Sequence, residues 1–270
     1  TGCYTSQTRI KMANRIGEST LGEAELFSSL ASLETGYPYP TGKFAEAWKR
    51  ILFNQFHDIL TGSGIRDTRE HAMGEFQKSM AEANTERSGA MRSIVSQIDT
   101  SAFTMDDDDS HLNSEGAGVG HGINEFQITQ VGRARGTTRL FHLFNSAPFE
   151  RTQLTELTVW DWPAADVPLI EVCDASGKTI PCQITNHGYN NYWGHDFAKL
   201  LIEATVPACG YATYVIRRSK DAIAANRFGE FSCYREAGDP DWQRVAAPYE
   251  YVLENEYLRA QFDLQSGDLV

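Results

Sequence analysis

Apolar residues in the first hundred positions recur at helical spacing. Phe44, Ala47, Trp48, Ile51 and Leu52, continued by Gln55, follow the i, i+3, i+4 rule, with Lys49 and Arg50 off the stripe. Upstream, Leu26, Leu30 and Leu33 form another stripe, closed by Thr35-Gly36-Tyr37-Pro38-Tyr39-Pro40, where Gly and Pro end a helix and hold an extended loop. A weaker pattern predicts a further helix over roughly 5–17. After Thr61-Gly62-Ser63-Gly64, a long pattern runs through Ile65, Ala72, Phe76, Met80, Ala83, Arg87, Ala90 or Met91, Ile94 and Ile98. At 1.5 Å per residue it implies on the order of 50 Å of helix. The other helices are expected to pack along it as an antiparallel bundle. Gly74 and Gly89 count against an unbroken helix, since each costs about 1 kcal/mol relative to alanine.

From Glu125 onward the period changes to two. Leu140 to Asn145 precedes a turn at Ser146-Ala147-Pro148, and the segments 154–160, 197–206 and 211–217 alternate. Regularly recurring turn signals predict an antiparallel sandwich. Between the two textures lie Asp106 to Asp109 and the glycine-rich stretch from Ser114 to Gly120. Like-charge repulsion and glycine entropy oppose packing there, which predicts a solvated linker. A calcium loop would need carboxylates at alternate positions and a late glutamate.

The expected fold class is therefore an α+β multidomain chain: a helical bundle followed by an antiparallel β-sandwich. The expected divisions are a helical-bundle domain at 1–104, an acidic and glycine-rich linker at 105–122, and a β-sandwich region at 123–270. The chain opens without methionine and ends at Leu269-Val270 just after a strand-and-turn pattern, so it reads as an internal piece cut at both ends.

Composition narrows the functions. Across 270 residues, 36 acidic against 24 basic side chains leave a net charge of −12. That balance disfavours nucleic acid, whose phosphates call for clustered Lys and Arg. No run approaches the ~18 apolar residues of a membrane span. Cys3, Cys173, Cys182, Cys209 and Cys233 are odd in number, widely spaced and without a CxxC. They read as free thiols of a reducing compartment, and the expected location is the cytoplasm.

Candidate chemistry concentrates at Asn54-Gln55-Phe56-His57-Asp58-Ile59-Leu60-Thr61-Gly62-Ser63, where an apolar helix runs into polar side chains and then a glycine-rich turn. His57 and Asp58 are placed at a corner between helices, held by rigid elements yet able to face a cleft. Imidazole and carboxylate both suit Zn²⁺ and similar ions, but a zinc site takes three or four ligands and two at most are visible. On spacing alone the metal signal is weak, and a packing histidine with a turn-capping aspartate is the favoured reading of the pair. The segment from His187 to His195 gathers aromatic and amide groups of the kind that stack on sugars, but a polar hairpin loop beside the sandwich is the favoured reading. No Walker loop, G-x-S-x-G or H-E-x-x-H occurs.

The pattern Gln55, His57, Asp58, Gly62, Ser63 resembles the Gln-x-His-Asp-x-x-x-Gly-[Ser/Thr] element of glycoside hydrolase family 38 α-mannosidases. Gly2 to Gln7, with Lys11 and Asn14-Arg15, looks like the opening of that family's middle helical domain. Phe144 to Arg151 resembles the start of its β region, and Val252 to Tyr257 the strand that opens its large sandwich. These landmarks stand in the family's order across nearly the whole chain. Thr61 stands where the family often has proline.

The resemblance implies a retaining α-mannosidase with a divalent metal, usually Zn²⁺, acting on a mannose-containing glycan or mannoside. It makes His57 a metal ligand and Asp58 a substrate-binding residue, with Gln55 or Asn54 expected to orient His57 or line the cleft. The nucleophile, the general acid/base and the remaining ligands would belong to an N-terminal catalytic barrel of the same polypeptide, leaving no catalytic carboxylate in this chain. The competing reading is a non-catalytic carbohydrate-binding or scaffold homologue. A homo-oligomer is left open.

Overall fold

The computed structural model describes residues 3, 5–103, 137–190, 195–219, 252–254, 257–261, 263, 266 and 268–269. They fall in two compact units, one helical and one built of strands, as the α+β reading expects. The expected linker at 105–122 and the strand texture expected to begin at 125 lie outside the described residues up to Thr137.

The helical unit contains α1 (Thr8–Thr35), α2 (Thr41–Phe53), the single turn α3 (His57–Leu60) and α4 (Arg66–Val95). Where the pattern predicted two helices before Pro38, α1 runs unbroken for 28 residues. Gly17, the expected end of the first, sits mid-helix beneath α2. A Cβ there would come within 2.6 Å of Ile51 Cδ1, so the missing side chain is what lets the two helices approach. Of the Leu26–Leu30–Leu33 stripe, Leu26 and Leu30 are half-buried and Leu33 is 82% exposed. The buried line is instead Ile10, Ala13, Gly17, Leu21, Ala24, Phe27 and Ala31. α4 contributes Ala72, Phe76, Met80, Ala83 and Ala90. Both lines are rich in alanine, which shortens the distance between helix axes and hides the core stripe from a search for large apolar residues.

Cross-links fix the directions. Thr35 Oγ1 meets Ser93 Oγ at 2.6 Å and Arg87 bonds Glu23 at 2.5 Å, while Ile10 packs with Ala72 at the opposite end. α1 and α4 are therefore parallel. α2 runs against both: Lys43 pairs with Glu86, and Arg50 with Glu82 at 2.7 Å and Glu75 at 3.4 Å. The expected antiparallel packing holds for α2 alone, because the chain reverses once on entering α2 and again on leaving it. Neither Gly74 nor Gly89 breaks α4. At Gly89 a Cβ would lie 2.6 Å from the Tyr37 hydroxyl, whose ring fills that space. Tyr37 and Lys43 both donate to the buried carboxylate of Glu86. Burial, with Glu86 beside it, pushes the Tyr37 phenol above its ordinary range.

The other unit holds β1 (Thr138–Asn145), β2 (Arg151–Trp160), a 3₁₀ turn (Ala164–Leu169), β3 (Ile170–Asp174), β4 (Thr179–Ile180), β5 (Cys182–Asn190), β6 (His195–Val206), β7 (Gly210–Arg218), β8 (Val252–Glu254) and β9 (Arg259–Gln261). One sheet has the order β1-β7-β3-β4 and a second β2-β6-β5, every pairing antiparallel. Alternate residues of β6, namely Ala198, Leu200, Ile202 and Ala204, face Ile170, Val172, Tyr214 and Ile216 of the other sheet, closing a sandwich core. β8 and β9 form a separate pair, and Asn255 and Glu256 of the landmark expected there lie outside the described residues.

β1, β2, β6 and β7 cover the segments whose alternation predicted strands. The His187–His195 segment is not a loop over its described part. Asn186 to Asn190 pair in register with Lys199 to His195, and only 191–194 fall outside the described residues. The ladder is made by backbone groups, so polar side chains do not prevent it.

Leu200 is wholly buried on the central strand of its sheet. Leu200→Ala is expected to cost about 2–5 kcal/mol. Denaturant unfolding followed through the near-UV signal of the buried Trp160 and Trp162 measures it, and a change well under 1 kcal/mol would contradict this account of the core.

Candidate active-site corner between α2 and α4

The corner runs from the end of α2 through α3 to the start of α4, and most of its side chains are occupied in holding it. Asn54 is buried and its amide donates to Ala72 O at 2.8 Å, tying α2 to α4. The Gln55 amide donates to Asn14 Oδ1 at 3.0 Å and Glu18 Oε1 at 2.8 Å, tying the same point to α1. Ile59, 6% exposed, pins α3 among Ile10, Ala72 and Met73. Lys11 reaches across from α1 to donate to Thr61 O at 3.2 Å and Ser6 O at 2.7 Å.

Gly62 closes the corner with φ +80°, a left-handed conformation that side chains disfavour. A Cβ there would also meet Gln7 Cβ at 2.7 Å and the backbone oxygen of Ser6 at 2.8 Å. Thr61 Oγ1 donates to His57 O at 2.7 Å, and Ser63 Oγ to Asp58 O at 3.4 Å. The motif's glycine and hydroxyl positions thus serve the backbone of the turn.

His57 and Asp58 are left facing outward. Their side chains are 77% and 65% exposed, and His57 Nε2 lies 3.5 Å from Asp58 Oδ2. The Phe56 ring lies against the imidazole, with centroids 4.2 Å apart. Asn54 and Gln55, expected to touch His57 or line a cleft, direct their amides to Ala72, Asn14 and Glu18 instead, so they position the corner as a whole. Among the described residues no three His, Cys, Asp or Glu side chains come together as a metal site. The two donors here fit a divalent cation in kind and fall short in number, as two ligands of a larger set would.

Comparison with known proteins gives the corner its context. The alpha mannosidase middle domain family matches residues 1–94, which contain all of α1–α3 and almost all of α4. Alpha-mannosidase 2C1 of Homo sapiens is 37% identical over 94 residues, 34% of this chain and 9% of that protein. The lysosomal alpha-mannosidase of Bos taurus is 22% identical over 279 residues, which take in 100% of this chain and 22% of that protein. A glycosyl hydrolase family 38 protein from Enterococcus faecalis superposes with a TM-score of 0.57 at 19% identity, over 98% of this chain and 29% of its own. Residues 1–94 thus match the alpha mannosidase middle domain family, and the chain as a whole is similar in fold to a glycosyl hydrolase family 38 protein.

A family 38 α-mannosidase from Enterococcus faecalis V583 shares the fold too, with a TM-score of 0.54 at 18% identity. The chain spans less than a third of the length of either structure, and its matches cover 9% and 22% of the two curated relatives. Within this family segment no described helix is long and apolar enough to cross a membrane. The described cysteines, Cys3, Cys173, Cys182 and Cys209, are free, and burial pushes the Cys173 and Cys182 thiols up, away from the reactive thiolate. Cys233 lies outside the described residues.

The corner separates stability from surface chemistry. Gly62→Ala is expected to destabilise the helical unit by roughly 1–3 kcal/mol through backbone strain and the contact with Ser6 O. His57→Ala, at an exposed position, is expected to stay within about 0.5 kcal/mol of the parent. Denaturant titration of helical circular dichroism tests both; equal midpoints for the two variants would contradict the assignment of Gly62 to the frame and His57 to the surface.

Proposed function

We propose that this chain is part of a retaining, divalent-metal-dependent α-mannosidase, to which it supplies His57 as a metal ligand and Asp58 as a group that holds substrate hydroxyls. The observation that carries the proposal is the division of labour at the corner. Asn54, Gln55, Ile59, Thr61 and Gly62 are engaged in fixing it, while His57 and Asp58 project outward on a rigid base. A ligand on such a base loses little freedom on binding, which favours a defined coordination geometry.

A divalent ion held there would neutralise charge and template vicinal sugar hydroxyls. A His57 ring nitrogen would coordinate the ion, and Asp58 beside it would accept hydrogen bonds from hydroxyl groups. Asn54 and Gln55 keep both residues in place through α4 and α1. The double displacement itself needs two further carboxyl groups, one attacking the anomeric carbon and one protonating the leaving oxygen. These belong to a catalytic domain elsewhere in the same polypeptide, consistent with the small share of its relatives that this chain spans. The expected substrate is a mannose-containing glycan or a mannoside. Free cysteines favour a reducing compartment and thus the cytoplasm.

The test is hydrolysis of an aryl α-mannoside by the full-length protein, with and without chelator, beside its His57→Ala variant. Activity is expected to vanish with chelator and return with a divalent ion. His57→Ala is expected to lower kcat/KM by more than the ~10–100-fold of a residue that only supports a metal ligand. Full activity in the variant would overturn the ligand role. A folded parent without activity under any metal would favour a binding-only homologue.

A further inference from the structure

The core-facing side of β2 changes character along the strand. Leu157 and Val159 point into the sandwich core and are 4% and 2% exposed. Alternation then carries Thr155, Gln153 and Arg151 to that same face, opposite Ile202, Ala204 and Val206 of β6. A hydroxyl, an amide and a guanidinium thus stand where the first half of the strand has aliphatic side chains. The two sheets part at this end. Leu143 of β1, Ala204, Val206 and the three polar residues of β2 line an open cleft of about 110 Å³. That is room for on the order of eight waters, or for one ring-sized ligand. β1 and β2 are edge strands of their sheets, so no described strand closes the cleft from the side.

The cleft is held open by the frame around it. The buried Asn145 donates to Val206 O at 3.2 Å and Pro207 O at 3.0 Å, clamping the end of β1 to the end of β6. Arg151 Nη2 donates to Gln153 Oε1 at 2.5 Å, which fixes both side chains and leaves the other guanidinium N–H groups available to an acceptor. In a chain of net charge −12, Arg151 is the one charged residue among those lining the cleft. An inward-pointing charge also discourages pairing between sheet edges, but that role requires neither Gln153 nor Thr155 on the same face. We infer that this cleft binds a sugar ring carrying an anionic group, phosphate or carboxylate. Arg151 matches either group with parallel N–H donors, and the cation sets the charge of the ligand. Gln153 and Thr155 offer donors and acceptors for ring hydroxyls, while Leu143, Ala204 and Val206 take the apolar C–H face of the ring. The inference does not rest on the proposed function, because the cleft lies wholly within the strand unit.

Calorimetric and ligand-detected NMR titrations of the full-length protein test it, with glucose 6-phosphate, glucuronate, glucose and inorganic phosphate as probes. Glucose-based probes keep a mannose-directed site out of the readout. At least one charged sugar is expected to bind about tenfold or more tighter than both glucose and inorganic phosphate, and the stronger of the two identifies the anionic group. Arg151→Met is expected to lower that affinity roughly 10–100-fold. Arg151 is exposed, so an unchanged unfolding midpoint is expected alongside. Gln153→Leu, which keeps the charge, is expected to weaken binding several-fold. Unchanged affinity in Arg151→Met, or no saturable binding of either charged sugar, would overturn the inference. Inorganic phosphate binding as tightly as the sugar ester would reduce the cleft to an anion site and overturn the sugar assignment. Binding that is lost with chelator or in His57→Ala would belong to the corner between α2 and α4 and would also overturn it. Binding retained in both, by a protein without mannosidase activity, would uphold the cleft while the proposed function failed.

Discussion

Close approach of helix backbones is the constraint on which the helical unit depends. Gly17 brings α1 under Ile51 of α2, and alanines at 13, 24 and 31 of α1 and at 72, 83 and 90 of α4 keep the core-facing lines thin. With little side-chain bulk between them, α1 and α4 run parallel along most of their lengths, and the short α2 reverses direction across both. Polar groups then seal the bundle where alanine cannot. Glu86 takes hydrogen bonds from Tyr37 and Lys43, and Arg87 reaches Glu23, so that each buried or half-buried charge has its partner.

The corner inherits its rigidity from that packing. α3 is only four residues long and could not hold a defined position by its own hydrogen bonds. It is held because Ile59 inserts between Ile10 and Ala72, near the start of each parallel helix, and because Asn54, Gln55 and Lys11 tie the surrounding turns to α4 and α1. Parallel α1 and α4 bring their N-terminal ends to the same place, and the corner between α2 and α4 lies there. The exposed His57 and Asp58 thereby sit on a base assembled from three helices although their own sequence segment is mostly turn.

The strand unit is built on a different principle, the alternation of β6 across a two-sheet core. Ala198, Leu200, Ile202 and Ala204 are small or aliphatic and wholly or nearly wholly buried, while the larger Trp162 and Tyr214 close the core around them. Tyr214 keeps its hydroxyl satisfied by bonding the backbone of Thr205 at 2.8 and 3.0 Å, an arrangement that joins β7 to β6 across the sheets. The buried Asn145 on the edge strand β1 is likewise satisfied, donating to Phe149 O, Val206 O and Pro207 O.

The order of textures along the chain, helical period first and strand period afterwards, was enough to determine the fold class, four of the strands and the position of the corner, because each depends on local spacing. The resemblance to family 38 α-mannosidases could also be read from the motif around His57 and its companions in sequence order. Tertiary structure alone decided which residues of α1 face inward, since alanine and glycine carry no hydrophobic signal of their own and become core only when another backbone lies against them. It decided that β5 is a strand, because the ladder partners are supplied by β6 and not by the polar side chains of residues 185–190. It also decided the separate fates of neighbouring polar residues in the motif: Asn54 turns into the bundle toward Ala72 and Gln55 toward α1, whereas His57 and Asp58 stay exposed among the described residues and face outward.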